Sequence, residues 1–343
     1  MSAEKPYVFR TAPLLVPKVW GGRRLAEYCG KALGPGRYGE SWEVADLEEG
    51  QSRVDTGPAK GRALGEVTKA WGADLVGSSA EGDRFPLLLK LLDAEMDLSV
   101  QVHPGPKDLK RMPGAQSKDE AWFVLSSEEG EIIHGLSQDG MVPGELRVAV
   151  EAGEVERFLE RHPVRAGDVV RVPPGTIHAI CGGVLLLEIQ EPSDTTYRFY
   201  DYRRPGLDGE PRELHLEKAL EVARLMRSLE VFQEPVQIGD GLDLLVESPS
   251  YRVERLASGD GAELRWAVGE ESVQLVHALG GEFAIGDGIG GRVKLLPFQT
   301  AVIPAATETV DVTVVKPGAL LVLGLSSPRG LVRELMVRER TSV

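Results

Sequence analysis

Short apolar segments recur at intervals of roughly ten residues in the C-terminal third of the chain, with turn-forming residues between them. This rhythm is typical of an all-β sandwich or barrel, because alternating βαβ units need longer helical segments between their strands. The 40 glycines and 22 prolines are spread along the chain and supply the turns that many short strands require. The predicted strands of this part are Tyr251–Leu256, Glu263–Val268, Val273–Ala278, Gly281–Ile285, Val293–Leu296, Ala301–Pro304 and Ala319–Gly324.

The preceding part of the chain combines predicted strands with a few segments of helical spacing. Apolar residues three and four positions apart predict helices over Gly144–Val150, Glu154–Arg161 and Glu213–Met226. The predicted strands are Leu87–Leu92, Leu98–His103, Ala121–Leu125, Glu131–Leu136, Asp168–Val172 and Val184–Gln190. We therefore expect a mainly β protein with a few helices.

The chain is long enough for two domains. Pro235 and two glycines within Ser228–Asp243 make this segment the predicted bridge between them. We expect an N-terminal domain over residues 1–235, which carries the chemistry, and an all-β domain over residues 236–343 without a metal site.

Charge and cysteine content narrow the class of protein. The net charge is −14 and no cluster of basic residues is longer than a pair, so we expect neither nucleic acid nor a membrane surface as a partner. No stretch approaches the roughly 20 apolar residues of a membrane-spanning helix. Cys29 and Cys181 lie far apart in the sequence, which fits a reducing compartment. The expected location is the cytoplasm.

The segment Leu98–Pro104 contains the first candidate site residues. Gln101 and His103 are two positions apart on a predicted strand, so their side chains point to the same face. An amide oxygen and an imidazole can bind one metal ion. A buried Gln–His pair whose hydrogen bonds are satisfied by the backbone explains the same pattern.

A second candidate lies in the segment Gly167–His178. Gly167 precedes a strand, Pro173 to Gly175 form a turn, and His178 begins the returning strand. The spacing G-x5-P-x-G-x2-H resembles the second motif of the cupin superfamily, whose histidine binds a metal inside a β-barrel. The resemblance implies jelly-roll barrels of the cupin type. A structural turn followed by an incidental histidine is the alternative.

Further motifs narrow the resemblance to one family. In most cupins the first motif is H-x-H with a nearby glutamate, whereas Gln101 stands at the first histidine position here and the next candidate acid is Glu120. Over about residues 10 to 220 the chain resembles the type I mannose-6-phosphate isomerases. The segments that carry the likeness are Val19–Gly22, Gly39–Glu43, Phe85–Lys90, Gln101–Pro104, Lys118–Trp122, Pro173–His178 and Pro192–Asp201.

The resemblance implies a metal centre and a reaction. Its metal ligands are Gln101, His103, Glu120 and His178, with one Zn²⁺ or another divalent ion per chain; two imidazoles, a carboxylate and an amide oxygen suit such an ion. The implied substrate is a phosphosugar. The implied reaction interconverts D-mannose 6-phosphate and D-fructose 6-phosphate, an aldose–ketose isomerisation through a cis-enediol(ate).

The resemblance also implies residues that contact the substrate. Arg198 and Lys118 match catalytic and substrate-binding positions, and Trp20 is a further substrate contact. An unpaired arginine among the aromatic residues of a half-buried strand is costly, which favours a functional role for Arg198. The proton-transferring base stays open: Glu188, Glu191, a histidine such as His134, or a metal-bound water are all chemically acceptable.

Three other functions are compatible with parts of this pattern. One is an iron-dependent cupin oxygenase, although Gln101 and the distant Glu120 fit it less well. Another is a binding protein for sugar phosphates without turnover. The third is an isomerase of a different phosphosugar at the same site. The chain contains neither a G-x-x-x-x-G-K-[ST] phosphate loop nor a G-x-S-x-G nucleophile motif. The oligomeric state is not predicted.

Overall fold

The computed structural model describes residues 5–287 and 292–338. The fold is mainly β, as the sequence predicts. The strands are β1 Phe9–Ala12, β2 Leu14–Val16, β3 Glu40–Val44, β4 Arg53–Val54, β5 Leu88–Ala94, β6 Val100–Val102, β7 Glu120–Ser127, β8 Glu131–Leu136, β9 Leu159–Pro163, β10 Val169–Val172, β11 His178–Ile180, β12 Val184–Gln190, β13 Tyr197–Tyr200, β14 Val236–Gly239, β15 Leu242–Glu247, β16 Tyr251–Ser258, β17 Glu263–Ala267, β18 Gln274–Ala278, β19 Glu282–Gly286, β20 Arg292–Leu295, β21 Thr300–Ile303, β22 Thr309–Lys316, β23 Gly318–Leu325 and β24 Arg333–Arg338. The helices are α1 Arg24–Glu27, α2 Leu64–Trp71, α3 Ala73–Val76, α4 Pro143–Ala152 and α5 Leu216–Val222, with a 3₁₀ turn at Val155–Phe158.

The chain forms two compact units. The first unit contains Leu15–Ser41 and Leu89–Gln233, and the second contains the described residues of Met1–Leu14, Trp42–Leu88 and Glu234–Val343. The division into domains 1–235 and 236–343 stays a prediction. The compact units differ from it in the N-terminal part, because β1 pairs with β21 and β4 with β1 at the edge of the second unit's largest sheet.

Two sheets form the framework of the first unit. One has the strand order β10-β7-β12-β5-β3-β2 and the other the order β13-β6-β11-β8-β9. A core cluster contains Trp122 and Val170 of the first sheet with Ile132 and Ile180 of the second, so it packs between the two inner faces. The helices α4 and α5 cover the outer face of the five-stranded sheet, where Leu146 and other apolar side chains pack against it.

Two predicted helices differ from the observed elements. Glu154–Arg161 forms one 3₁₀ turn and then the strand β9, because backbone pairing with β8 (Ile132 opposite His162) outweighs a weak helical pattern. Glu213–Met226 contains the shorter helix α5. No helix in the described parts of the chain is long and apolar enough to cross a membrane.

The second unit is also built from two sheets. Its eight-stranded sheet has the order β14-β15-β16-β23-β18-β21-β1-β4, and its five-stranded sheet has the order β20-β19-β22-β17-β24. Leu256, Val276 and Val322 of the larger sheet share one core with Phe283 and Val312 of the smaller sheet. The strands β14 to β24 supply most of both sheets, and the helices α2 and α3 also belong to this unit.

The buried ion pair between Arg252 and Glu254 is expected to stabilise the second unit, and a substitution tests this. The Glu254 carboxylate is fully buried; it accepts hydrogen bonds from Arg252 Nε at 2.6 Å and from the N–H groups of Leu331 and Val332 at 3.0 and 2.9 Å. Glu254→Gln places an amide N–H₂ against these donors. We expect it to lower the free energy of unfolding by about 2–4 kcal/mol, measured by urea denaturation.

The matched control for Glu254 is Asp243→Asn on the neighbouring strand β15. The Asp243–Arg255 pair, at 2.7 Å, is partly solvent-exposed, with side-chain exposures of 24% and 31%. Its loss is expected to cost about 1 kcal/mol or less. Equal losses from the two variants would contradict the structural role of Glu254.

Candidate active site

A row of four polar side chains crosses the five-stranded sheet of the first unit. His134 on β8 lies opposite His178 on β11, His178 lies opposite Gln101 on β6, and Gln101 lies opposite Arg198 on β13. Directly opposite residues of antiparallel strands point to the same face. The row therefore brings together residues that are up to 97 positions apart in the sequence, between Gln101 and Arg198.

The turn before His178 fixes where this histidine begins its strand. Gly175 has a φ of +87°, which a residue with a side chain rarely adopts, and its N–H donates to the carbonyl of His103 at 2.8 Å. A Cβ at this position would lie 3.0 Å from the carbonyl oxygen of Val222. The Pro-Pro-Gly turn thus ties the segment before β11 to the end of β6.

His103 and His178 each have their ring orientation fixed by a backbone carbonyl. His103 Nδ1 lies 3.0 Å from the carbonyl oxygen of Thr195, and His178 Nδ1 lies 2.8 Å from that of Thr176. A carbonyl accepts only, so each Nδ1 carries the proton and donates it. The Nε2 lone pairs are then available as ligands, which is how metal-binding histidines are usually held.

The Glu120 carboxylate completes a three-residue cluster with these two imidazoles. Its oxygens lie 3.4 Å from His103 Nε2 and 3.2 Å from His178 Nε2, and all three side chains are buried. Ligands of a tetrahedral zinc ion with bonds of about 2.0–2.1 Å are about 3.3–3.4 Å apart. The spacing and the chemistry of the donors fit such an ion.

The side-chain amide of Gln101 also faces this cluster. Its Nε2 lies 3.4 Å from His178 Nε2. The two ends of an amide are interchangeable in such an assignment, so rotation of the amide by half a turn presents the oxygen there instead. Gln101 is therefore a fourth candidate ligand beside His103, Glu120 and His178.

Lys118 lies in the same buried cluster. Its ammonium is 2.8 Å from Glu120 Oε2, 3.2 Å from His103 Nε2 and 3.6 Å from Glu188 Oε1. Burial opposes its charge, but the Glu120 and Glu188 carboxyls outweigh burial and raise the pKa of Lys118 above its usual value. Lys118 is therefore a cation at neutral pH.

The other pKa values of the cluster follow from the same contacts. Burial, and next the Lys118 ammonium, lower the pKa of His103 to about 3. Burial favours the neutral form of Glu120, but Lys118 and the neighbouring histidines hold its pKa well below the usual value. At neutral pH the cluster contains a neutral His103 imidazole and an ionised Glu120, which are the protonation states that bind a metal.

The structure separates the two glutamates that the sequence left as alternatives. Burial, and next the Glu120 carboxylate, raise the pKa of Glu188 to about 7; this side chain is 4% exposed and faces Lys118. Glu191 instead accepts hydrogen bonds from the Ser117 hydroxyl at 2.8 Å and the Asp119 N–H at 3.0 Å. Glu188 is the one that lies in the buried cluster.

Trp20 and His134, two further candidates from the sequence, have surroundings different from those of the ligand cluster. Trp20 is 3% exposed and belongs to the apolar core that contains Leu92 and Trp122, so its role as a substrate contact stays a prediction. His134 donates from Nε2 to the carbonyl of Arg171 at 2.9 Å, and burial lowers its pKa to about 4. His134 ends the polar row as a neutral side chain.

Sequence reasoning missed the groups that orient the histidines. They are backbone carbonyls, of Thr176 and Thr195, and a backbone group leaves no signal in the residue types. It also missed Asp201 as a partner of Arg204 and Arg212, because their contacts depend on the conformation of the loop between them.

Comparisons with known proteins identify the family of this chain. Residues 8–138 match the model of the catalytic domain of type I phosphomannose isomerases. The mannose-6-phosphate isomerase ManA of Bacillus subtilis is 43% identical over 220 residues, which cover 64% of this chain and 68% of ManA. The mannose-6-phosphate isomerase of Streptococcus mutans is 39% identical over 239 residues, which cover 69% of this chain and 74% of that protein.

A solved structure extends the likeness to nearly the whole chain. The crystal structure of the mannose 6-phosphate isomerase from Bacillus subtilis superposes with a TM-score of 0.83 and 31% identity, covering 93% of this chain and 99% of that one. The chain belongs to the type I phosphomannose isomerases.

Proposed function

We propose that this protein interconverts mannose 6-phosphate and fructose 6-phosphate at the buried cluster of its first unit. The observation that supports the proposal is the donor set of His103, Glu120 and His178. The Glu120 oxygens lie 3.4 and 3.2 Å from the two imidazole Nε2 atoms, a distance typical of two ligands of one tetrahedral metal ion. Family membership supplies the substrate pair. Gln101 is the fourth ligand in this proposal, and zinc is the proposed ion.

The chemistry requires positive charge near the sugar's first two carbons. Isomerisation removes a proton from C2 and returns one to C1 through a cis-enediol(ate), so negative charge develops on the attached oxygens. Preorganised cations in a site that excludes water stabilise such charge most effectively. When bound, the metal ion would act as a Lewis acid that polarises these oxygens.

The chain's own residues supply the remaining charge and orientation. Lys118 is a buried ammonium beside the ligand cluster, and it can donate hydrogen bonds to a sugar oxygen or to the phosphate. Arg198 faces the same side of the sheet as Gln101, and among the described residues no carboxylate lies within 4 Å of its guanidinium. We assign to Arg198 the stabilisation of the enediolate.

Glu188 is the proposed carboxyl for proton transfer. It is buried, and its Oε1 lies 3.6 Å from Lys118 Nζ in the same cluster. Glu191 is held by Ser117 and Asp119 and serves as the matched comparison. The location that we propose is the cytoplasm, which the low cysteine content supports.

Product analysis with several sugars tests the function. The zinc-loaded protein is incubated with mannose 6-phosphate, glucose 6-phosphate or unphosphorylated mannose, and ketose formation is measured. We expect fructose 6-phosphate from mannose 6-phosphate alone. Ketose formed only from another aldose phosphate would replace the substrate, and no product from any sugar would favour a binding protein. Oxygen consumption with Fe²⁺ would favour a cupin oxygenase.

A further inference from the structure

The strand that carries Arg198 leads into a loop that returns to Arg198. The chain leaves β13 at Tyr200, turns near Gly209 and comes back so that the N–H of His215 donates to the carbonyl of Arg198 at 2.8 Å. The Arg198 guanidinium donates from Nη1 to the carbonyl of Glu213, also at 2.8 Å. The returning end of the loop therefore sets where the guanidinium lies.

A buried carboxylate closes this loop at its base. Asp201 is 4% exposed, and its two oxygens accept from Arg212 Nε at 2.7 Å and from Arg212 Nη2 at 2.6 Å. This is a two-point, charge-assisted contact, which fixes orientation as well as distance. Arg204 donates to the same carboxylate from Nε at 3.1 Å. Residue 212 is one position before Glu213, whose carbonyl holds Arg198.

The carboxylate of Asp201 pairs with two arginines of the loop but not with Arg198. Asp201 is paired with Arg204 and Arg212, and no ion pair with a carboxylate involves Arg198 in the parts of the chain that the structure describes. Burial, and next the charge of Arg212, lower the pKa of Arg198. Asp201 thus pairs with Arg204 and Arg212, while the charge of Arg198 is left for another partner.

We propose that Asp201 and Arg212 are positioning residues that hold Arg198 toward the reacting sugar. The proposal rests on the proposed function and deepens it. Loss of the Asp201–Arg212 contact frees the loop end, so the Glu213 carbonyl no longer fixes the guanidinium. A misplacement on the order of 1 Å in a catalytic group costs roughly 100-fold in rate.

Steady-state kinetics of Arg212→Gln, Arg212→Lys and Asp201→Asn test the proposal. We expect kcat for mannose 6-phosphate to fall about 10- to 100-fold in Arg212→Gln, with KM changed less than about threefold and zinc content unchanged. Arg212→Lys keeps the charge without the two-point contact, so its kcat should lie between those of the parent and of Arg212→Gln. The control is Arg203→Gln on the same loop, since Arg203 is exposed and donates to the Glu151 carbonyl at 2.8 Å instead of to Asp201.

A double-mutant cycle separates positioning from general loss of structure. If Arg212 acts through Arg198, then Arg212→Gln should reduce the residual activity of Arg198→Ala by less than about twofold. Full, additive losses in the double variant, or a parental kcat in Arg212→Gln, would overturn the positioning role. Thermal unfolding of each variant identifies any that fails to fold. If Arg212→Gln does not fold, the kcat of Arg212→Lys tests the positioning role instead. An inactive parent enzyme would overturn the proposed function and this role together.

Discussion

His178→Ala is expected to lose both the bound metal and the isomerase activity. The substitution removes one of two imidazoles whose Nε2 atoms face Glu120, and it leaves Glu120 paired with Lys118. Removing a residue that merely orients a metal ligand costs about 10- to 100-fold in affinity, so loss of a ligand itself should exceed that. Zinc content after gel filtration, measured by atomic emission, and ketose formation report the two losses.

The control for His178 is its neighbour in the same polar row. His134 is also a buried imidazole, but its Nε2 donates to the Arg171 carbonyl and not to a carboxylate. His134→Gln should keep its zinc. A His178→Ala protein that retained one zinc per chain and full activity would contradict the site described above.

Arg198→Ala is expected to lower kcat by about 100- to 1000-fold while zinc content stays at the parental level. The magnitude is that of removing one charge-stabilising group from a transition state. The guanidinium donates a hydrogen bond to the Glu213 carbonyl and, among the described residues, forms none with the ligand cluster, so the metal site should persist. Arg198→Lys, which keeps the charge but not the planar donor fork, should recover part of the rate.

Two outcomes would contradict the assignment of Arg198. A parental kcat in Arg198→Ala would remove it from the reaction. Loss of zinc together with activity would show that it supports the metal centre instead, a result that circular dichroism and zinc analysis would distinguish from unfolding.

The strands that the sequence predicts best are those with locally complete patterns. Glu131–Leu136 and Val184–Gln190 match the observed β8 and β12 residue for residue, because an apolar run between turn residues decides them without distant partners. The segment Glu154–Arg161 is mostly not helical because its fate depends on pairing with β8. Pairing of β1 with β21 depends on residues almost 300 positions apart, as in Phe9 opposite Val302, and no local pattern predicts it.

In the candidate site, too, the sequence predicts what depends on a local pattern and not what depends on tertiary contacts. Spacing within a strand or turn indicated Gln101, His103 and His178, since each pattern is local, and the family resemblance indicated Glu120. The structure then adds what depends on tertiary contacts: the carbonyls of Thr195 and Thr176 that orient the histidines. The separate surroundings of Glu188 and Glu191 also follow from packing, because Glu188 lies near the end of the predicted strand and Glu191 directly follows it, and nothing in the sequence distinguishes their roles.

The proposed isomerisation requires one metal ion in this cluster. Its most direct test is a zinc titration of the chelator-treated protein, with fructose 6-phosphate formation from mannose 6-phosphate measured at each point. We expect no activity before zinc is added and a linear rise that stops at one zinc per chain, with no rise in His178→Ala. Full activity of the metal-free protein, or none after one equivalent of zinc has bound, would contradict it.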